Sequence, residues 1–368
     1  MHLAASLTSF SLFVSFALLP AFGFAADKTT KTKNHVASDA TPDAVTYGRR
    51  DDVMSFAAEV AARHGLDTAK TEATLARARF IPSVARFIMP PPAGTAKNWA
   101  AYRDRFIEPK RVNAGAAFWR ANQGWLSLAE ERHGVPAEII VGIIGVETLY
   151  GQQVGTFRVL DALATLSFDF PVGRKDRSAF FRDELGHFLL MCEQEGSDPL
   201  VVKGSFAGAM GLPQFMPSSV LKYAVDFDGD GHIDLHGSTA DVIGSVANYL
   251  AKFGWQPGLP THFEVAAPVD NTDRNVLLGP DIVPTFSAQE MTERGARVSE
   301  AAFTTPSKLA LVELQNGAAA PSYVAGTSNF YAVTRYNWSS YYAMAVIGLG
   351  EAVKTAVREK LKATVGSK

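Results

Sequence analysis

The stretch Pro136–Gly151, PAEIIVGIIGVETLYG, constrains the chain more than any other. Pro136 stands where a first helical position tolerates proline, and Gly151 can close the far end. Ile140, Ile143, Ile144 and Glu147 recur at i, i+3, i+4 and i+7, so they share one face of the helix. That face is apolar apart from Glu147. A carboxylate there is unfavourable unless it is paired, neutralised or opened to a cleft. Burial raises its pKa, as a general acid near neutral pH requires. The pattern leaves a second reading open, in which Glu147 closes a helix end in an ion pair with an arginine.

At 368 residues the chain is long for one core and calls for two or three lobes. A net charge of −2 gives no electrostatic case for nucleic acid. Residues 8–25 form an apolar run ending in Gly23-Phe24-Ala25, a small-x-small cleavage pattern before Ala26. The run contains Pro20 and Gly23 and is short for a bilayer span, so residues 1–25 read as an export signal, with an uncleaved anchor as the alternative. Residues 26–46, rich in Lys, Thr, Asp and Ala, read as a disordered linker. The one cysteine, Cys192, lies among Phe188, Leu189, Leu190 and Met191 and reads as a core residue, so no disulfide is expected. No cysteine stands directly after the signal segment, so no lipid anchor is expected either.

Helical spacing runs from Asp51 to about Arg132, with a stop at Gly65 and a loop at Pro90-Pro91-Pro92. Leu160–Leu166, Phe180–Met191 and residues 241–253 add amphipathic helices. After Gly254, short alternating runs such as THFEVAAPV and KLALVELQ predict a small β-rich insert. Helix returns near Tyr341 and ends in a basic segment.

Three further stretches bear chemistry. In DFDGDGHIDLHGSTAD, Asp226, Asp228, Asp230 and Asp234 hold positions 1, 3, 5 and 9 of an EF-hand loop, and Gly231 holds the turn. The His232 carbonyl would be the backbone ligand. Gly237 stands where the closing Glu belongs, and Asp241 could close an enlarged loop. The alternative is an Asx-rich turn capping the helix at Asp241. In GSFAGAMGLPQFMPSS, glycines permit close approach to a ligand; Ser205 and Gln214 offer hydrogen bonds, and Phe206 and Phe215 offer stacking faces. In RYNWSSYYA, aromatics interleaved with Asn and Ser suit a sugar groove or, equally, a helix entry with core aromatics. His133, His187, His232, His236 and His262 show no metal-ligand spacing such as HExxH.

Six stretches in order, GVETLYG, LDALATLSFDFP, GSFAGAMGLPQFMPSS, DFDGDGHIDL, IGSVANYL and TRYNWSSYYAMAV, resemble the membrane-bound lytic murein transglycosylase B family over roughly residues 50–360. The resemblance implies a mainly α, α+β fold with a lysozyme-like catalytic core at 133–254, completed by 329–342. A helical lobe at 47–132, joined by the C-terminal helix 343–364, and a small β-rich domain at 255–328 would complete it. Glu147 matches the family's catalytic acid. Ser205, Gln214, Tyr336, Asn337 and Tyr342 match its substrate-cleft residues, and Tyr102 is a further candidate. Asp226, Asp228, Asp230, His232 and Asp241 match the ligands of a structural Ca2+, with one extra residue before Asp241 relative to the family pattern.

The implied reaction cleaves the β-1,4 bond between N-acetylmuramic acid and N-acetylglucosamine in peptidoglycan. Glu147 protonates the leaving oxygen, then takes the proton of the muramoyl C6 hydroxyl, which closes a 1,6-anhydro ring. Two competing readings are a lysozyme-type hydrolase, with Asp161 or Asp169 holding a water, and a non-catalytic calcium-stabilised peptidoglycan-binding protein. The expected partners are peptidoglycan glycan strands and cell-wall synthesis or remodelling complexes. The protein is expected to be a monomer, soluble in the periplasm, with no organic cofactor.

Overall fold

The computed structural model describes residues 45–90 and 97–366, with side chains described as far as residue 360. The signal segment, most of the linker, and Pro91 and Pro92 lie outside the described residues. The last residues assigned to the linker already pair: Thr46 bridges Arg79, and the Val45 carbonyl accepts from the Phe80 amide.

The helical lobe begins with Asp51–His64, which buries Val53, Phe56, Ala57 and Val60 and stops at Gly65 in the left-handed region (φ 68°). Short helices follow at Thr68–Ala76, Pro82–Phe87 and Trp99–Phe106, then Pro109–Ala121 and Gln123–His133.

The helix at Ala137–Thr148 carries Glu147. Pro136 is its N-cap rather than its first turn, and Leu149, not Gly151, closes it in the left-handed region (φ 50°). Almost every residue is buried, including Ile139, Val141 and Val146 off the predicted face. This is the signature of a central core helix rather than an amphipathic one. The 27-residue C-terminal helix, Ser340–Gly366, lies along it and also crosses Pro109–Ala121. Glycines permit this close approach: a Cβ on Gly142 would run into the carbonyl of Val346, and one on Gly350 into the carbonyl of Glu138.

Around that pair pack Val159–Phe168, Ser178–Glu195, Pro217–Tyr223 and Thr239–Lys252. Cys192 is buried here. Phe157–Arg158 and Lys203–Gly204 form a two-stranded antiparallel ribbon that the sequence reading missed.

The insert is a four-stranded antiparallel sheet ordered Arg297–Val298, His262–Ala266, Ala319–Gly326, Ala310–Asn316. It is not purely β: helices Asn271–Leu278 and Ala288–Glu293 cover it and share a separate small core with Phe263, Leu309 and Leu311. The chain then returns through Ser328–Thr334 to the main core. Among the described residues no helix is long and apolar enough to cross a membrane.

Candidate active site

Glu147 stands in the last turn of its helix, where the chain reverses sharply through Leu149 and Tyr150 at positive φ. Thr148 anchors this end, its hydroxyl donating to the Leu212 carbonyl (3.0 Å) while accepting from the Gly151 amide (3.1 Å). Glu147 is thereby held against the Gly208–Phe215 loop on one side and the C-terminal helix on the other.

The Tyr342 hydroxyl donates to Glu147 Oε1 at 2.6 Å. Among the described residues no lysine or arginine forms an ion pair with Glu147, so the reading of a carboxylate paired to an arginine is not met. The residue keeps part of its surface open while the groups packed round it remove most of its water. Burial therefore raises its pKa to about 7, and the Tyr342 hydrogen bond only partly opposes this. Four phenols feel its charge: Tyr102, Tyr249, Tyr336 and Tyr342 are each pushed up, first by burial and also by the negative charge of Glu147. They are neutral donors at any physiological pH.

Tyr336 stacks on Tyr342 with ring centroids 6.3 Å apart and planes 14° from parallel. Its hydroxyl donates to the Pro213 carbonyl at 2.6 Å. Gln214 has φ 52°, and its side-chain amide holds the loop by donating to Gly211 O (2.8 Å) and Val154 O (3.2 Å). Asn337 is only 7% exposed, and its Oδ1 has no hydrogen-bond partner. A buried acceptor left unmet is a group awaiting a ligand or a water.

Two hollows meet at Asn337. One, about 520 Å³, is lined by Gln214, Phe215, Tyr249 and Tyr336. The other, about 460 Å³, is lined by Tyr102, Trp338 and Tyr341 with residues of the β-rich insert. Phenols on both sides feel the charge of Glu147, but Glu147 and Tyr342 themselves line neither hollow. Ser205 lines neither hollow; its hydroxyl accepts from the Ala209 amide (3.0 Å) and fixes the local turn.

The two aspartates considered as water holders are committed elsewhere. Asp161 accepts from Arg158 Nη2 (2.6 Å) and Nε (2.8 Å) and from the Arg79 amide (2.8 Å). Asp169 accepts from the Tyr47 hydroxyl (2.7 Å) and from Arg50 (3.1 Å). Both tie the core to the N-terminal lobe. A buried acid that sequence reasoning missed is Glu184, on the floor of the larger hollow, which accepts from the Ser218 amide (2.9 Å) and hydroxyl (2.7 Å). Its signal was the same apolar helical spacing that marks Glu147.

In the acidic loop, carboxylate oxygens of Asp226, Asp228 and Asp230 lie within 4.8 Å of one another and face solvent. Asp226 is held below the ordinary carboxyl range by backbone N–H groups, that of Gly231 first. The His232 ring is not in this cluster; its backbone amide donates to Asp230 (2.8 Å). Asp241 is buried and spans the loop, accepting from the Phe227 and Asp234 amides, both at 2.8 Å. It stands outside the three-carboxylate group.

The fold and this cleft define a glycan-cleaving enzyme of the transglycosylase class. The Transglycosylase SLT domain family matches residues 48–351, and the chain belongs to that family. It is 40% identical over 325 residues to the membrane-bound lytic murein transglycosylase B of Escherichia coli K12, covering 84% of each chain. The solved Escherichia coli lytic transglycosylase Slt35 in complex with calcium superposes with a TM-score of 0.71 at 40% identity, over 83% of this chain and 94% of that one. Pseudomonas aeruginosa SltB3 in complex with NAG-anhNAM-pentapeptide gives a TM-score of 0.67 at 29% identity, over 82% and 78%. The protein is a lytic transglycosylase acting on peptidoglycan, with a lysozyme-like fold.

Proposed function

We propose that Glu147 alone is the acid and then the base in cleaving the β-1,4 bond between N-acetylmuramic acid and N-acetylglucosamine. The observation that carries this is a largely desolvated carboxyl that, among the described residues, has a phenol but no cation as its partner and no uncommitted second carboxylate beside it. Glu147 gives its proton to the leaving oxygen as the C1–O bond breaks. The resulting carboxylate takes the proton of the muramoyl C6 hydroxyl while O6 bonds to C1, and water is not consumed. A tethered nucleophile has the entropic advantage of an intramolecular reaction. Ordinary glycosidases need two carboxylates; the commitments of Asp161 and Asp169 weigh against a hydrolase. The relative solved with an anhydro-sugar ligand supports the ring-closing outcome. Tyr336 offers a stacking face, and Asn337 Oδ1 and Gln214 offer polar contacts to the sugar.

The test is digestion of murein in heavy-oxygen water. Ring closure leaves the muramoyl end without label and one water lighter than a hydrolysed end. Label at that carbon would establish hydrolysis instead.

The donor set of the acidic loop fits a hard cation, with three convergent carboxylates at EF-hand spacing, and a relative has been solved in complex with calcium. Asp226, Asp228 and Asp230, with the His232 carbonyl, would hold Ca2+, and Asp241 would fix the loop around it. The ion would neutralise the carboxylates and serve structure. Calcium should therefore raise the melting temperature, by about 2–3 kcal/mol of stability at a hundredfold excess over Kd. Asp228→Ala should abolish the rise, and an unchanged melting curve between chelator and calcium would refute the site. Residues 8–25 support export to the periplasm.

A further inference from the structure

We propose that Arg111 is a positioning residue for Glu147: it reaches from the helical lobe to the last turn of the helix that carries Glu147, fixes that turn, and sets a cation at the helix end where the carboxylate forms. This rests on the proposed cleavage at Glu147 and adds a residue that acts through it.

Arg111 lies in the first turn of Pro109–Ala121, where the Glu108 carboxylate accepts its backbone amide (2.7 Å). Its side chain crosses to the neighbouring helix and donates through Nη1 to the Gly145 carbonyl, two residues before Glu147. Gly145 O also accepts the Leu149 amide (3.2 Å) at the sharp reversal that ends the helix. Both of its lone pairs are therefore in use, one from within the turn and one from the lobe. The guanidinium is half-buried, its Cζ 5.2 Å from the centre of the Phe106 ring. Among the described residues no carboxylate forms an ion pair with it, and its Nε is buried without a partner.

Tyr150 closes the same gap. It follows Leu149 at φ 56°, and its ring stacks on Phe118 with centroids 5.3 Å apart. Its hydroxyl sits so tightly between the two helices that a Cβ on Gly115 or on Gly145 would run into it. The lobe thus packs directly on the turn that carries Glu147, and Arg111 is the cation in that contact.

A helix ends in a partial negative charge on its last carbonyls, which disfavours a carboxylate in that turn. A cation bonded to one of those carbonyls offsets the effect. Arg111 thereby favours the deprotonated Glu147, the form that takes the C6 proton in the second step. Glu108 and Tyr150 are the groups that act on Arg111, and the Glu108 carboxylate is itself held by the amides of Lys110 and Arg111. The groups that feel Glu147 are the neutral phenols of Tyr102, Tyr249, Tyr336 and Tyr342.

The test compares the full-length wild type with Arg111→Gln and Arg111→Lys on soluble glycan strands, well below each variant's melting temperature. Both replacements are good helix formers. Arg111 lines neither hollow, so Arg111→Gln should lose about tenfold in kcat through a displaced acid, with KM kept within about twofold. Its Glu147 side-chain carbon-13 resonance, and the alkaline limb of kcat with it, should titrate about 0.5 higher in pH than in the wild type. Arg111→Lys keeps the cation, so its midpoint should stay within about 0.2 of the wild type, with a smaller loss in kcat. An arginine that serves stability alone would lower the melting temperature in both variants and leave kcat and the midpoint unmoved. That result, a loss carried by KM, or equal midpoint shifts in both variants would overturn the proposal. Failure of the Glu147 reading would look different, as turnover persisting in Glu147→Gln.

Discussion

Glu147 and Glu184 enter the core by the same route. Each follows apolar residues at helical spacing, Ile140, Ile143 and Ile144 for one, and Phe181, Leu185 and Phe188 around the other. Burial pushes both carboxyls up. They differ in their partners. Glu184 receives the amide and hydroxyl of Ser218, which joins Ser178–Glu195 to the start of Pro217–Tyr223. Glu147 receives one phenol and keeps part of its surface open. Burial alone therefore does not mark a reactive acid; burial with too few partners, at an opening, does.

The sharpest way to break this comparison is to make the same change at both positions. Glu147→Gln should lower murein turnover by about 10⁴-fold or more, because one group serves both proton transfers. Glu184→Gln should stay within a few fold of wild type and lose about 1 kcal/mol of stability, the difference between a charge-assisted and a neutral hydrogen bond. Stability should move the other way at Glu147. Between its ordinary value of 4.5 and about 7 the folded chain keeps a proton that the unfolded chain has lost, so this group's contribution to stability falls as pH rises through that window. Glu147→Gln should thus match wild type at acid pH and exceed it by up to about 2–3 kcal/mol above neutrality. Melting curves across pH check the sign, and equal effects of the two substitutions on turnover would dissolve the distinction.

A smaller effect belongs to Tyr342. Its hydrogen bond favours the charged carboxylate, so Tyr342→Phe should move the alkaline limb of the turnover profile to higher pH. Loss of one donor to the charged form should also slow the step that needs the carboxylate, by about tenfold. An unmoved limb would mean that the contact does not tune the acid.

Much of this could be read from spacing. Glu147 on its helix, the three clustered aspartates and the Gly65 stop all follow from residue types at fixed intervals, and local geometry carries them into the fold. The insert's helices were also legible in principle: Asp270 caps Asn271–Leu278, and Ser287 with Glu290 forms a capping box for Ala288–Glu293. They were hidden by their shortness among proline and glycine. What spacing could not reveal were the partners that each side chain takes in the fold. Asp161 and Asp169 lie near Glu147 in sequence, yet Arg79, Tyr47 and Arg50 claim them across the lobe boundary. Ser205 offers a hydroxyl in sequence, but its own turn uses it. Asp241 looks like a closing metal ligand, while two loop amides occupy its oxygens. The central helix is apolar all round, so its pattern understated how deeply it lies.

The central claim is that one carboxyl, with a phenol but no cation as its partner among the described residues, keeps its proton near neutrality. Carbon-13 NMR of the full chain, labelled at glutamate side chains and assigned by the signal missing from Glu147→Gln, reads this directly. The Glu147 resonance should titrate with a midpoint at about 7. A midpoint at or below the ordinary carboxyl value of 4.5 would contradict it, because the group would then be ionised at neutral pH and unable to act as the acid.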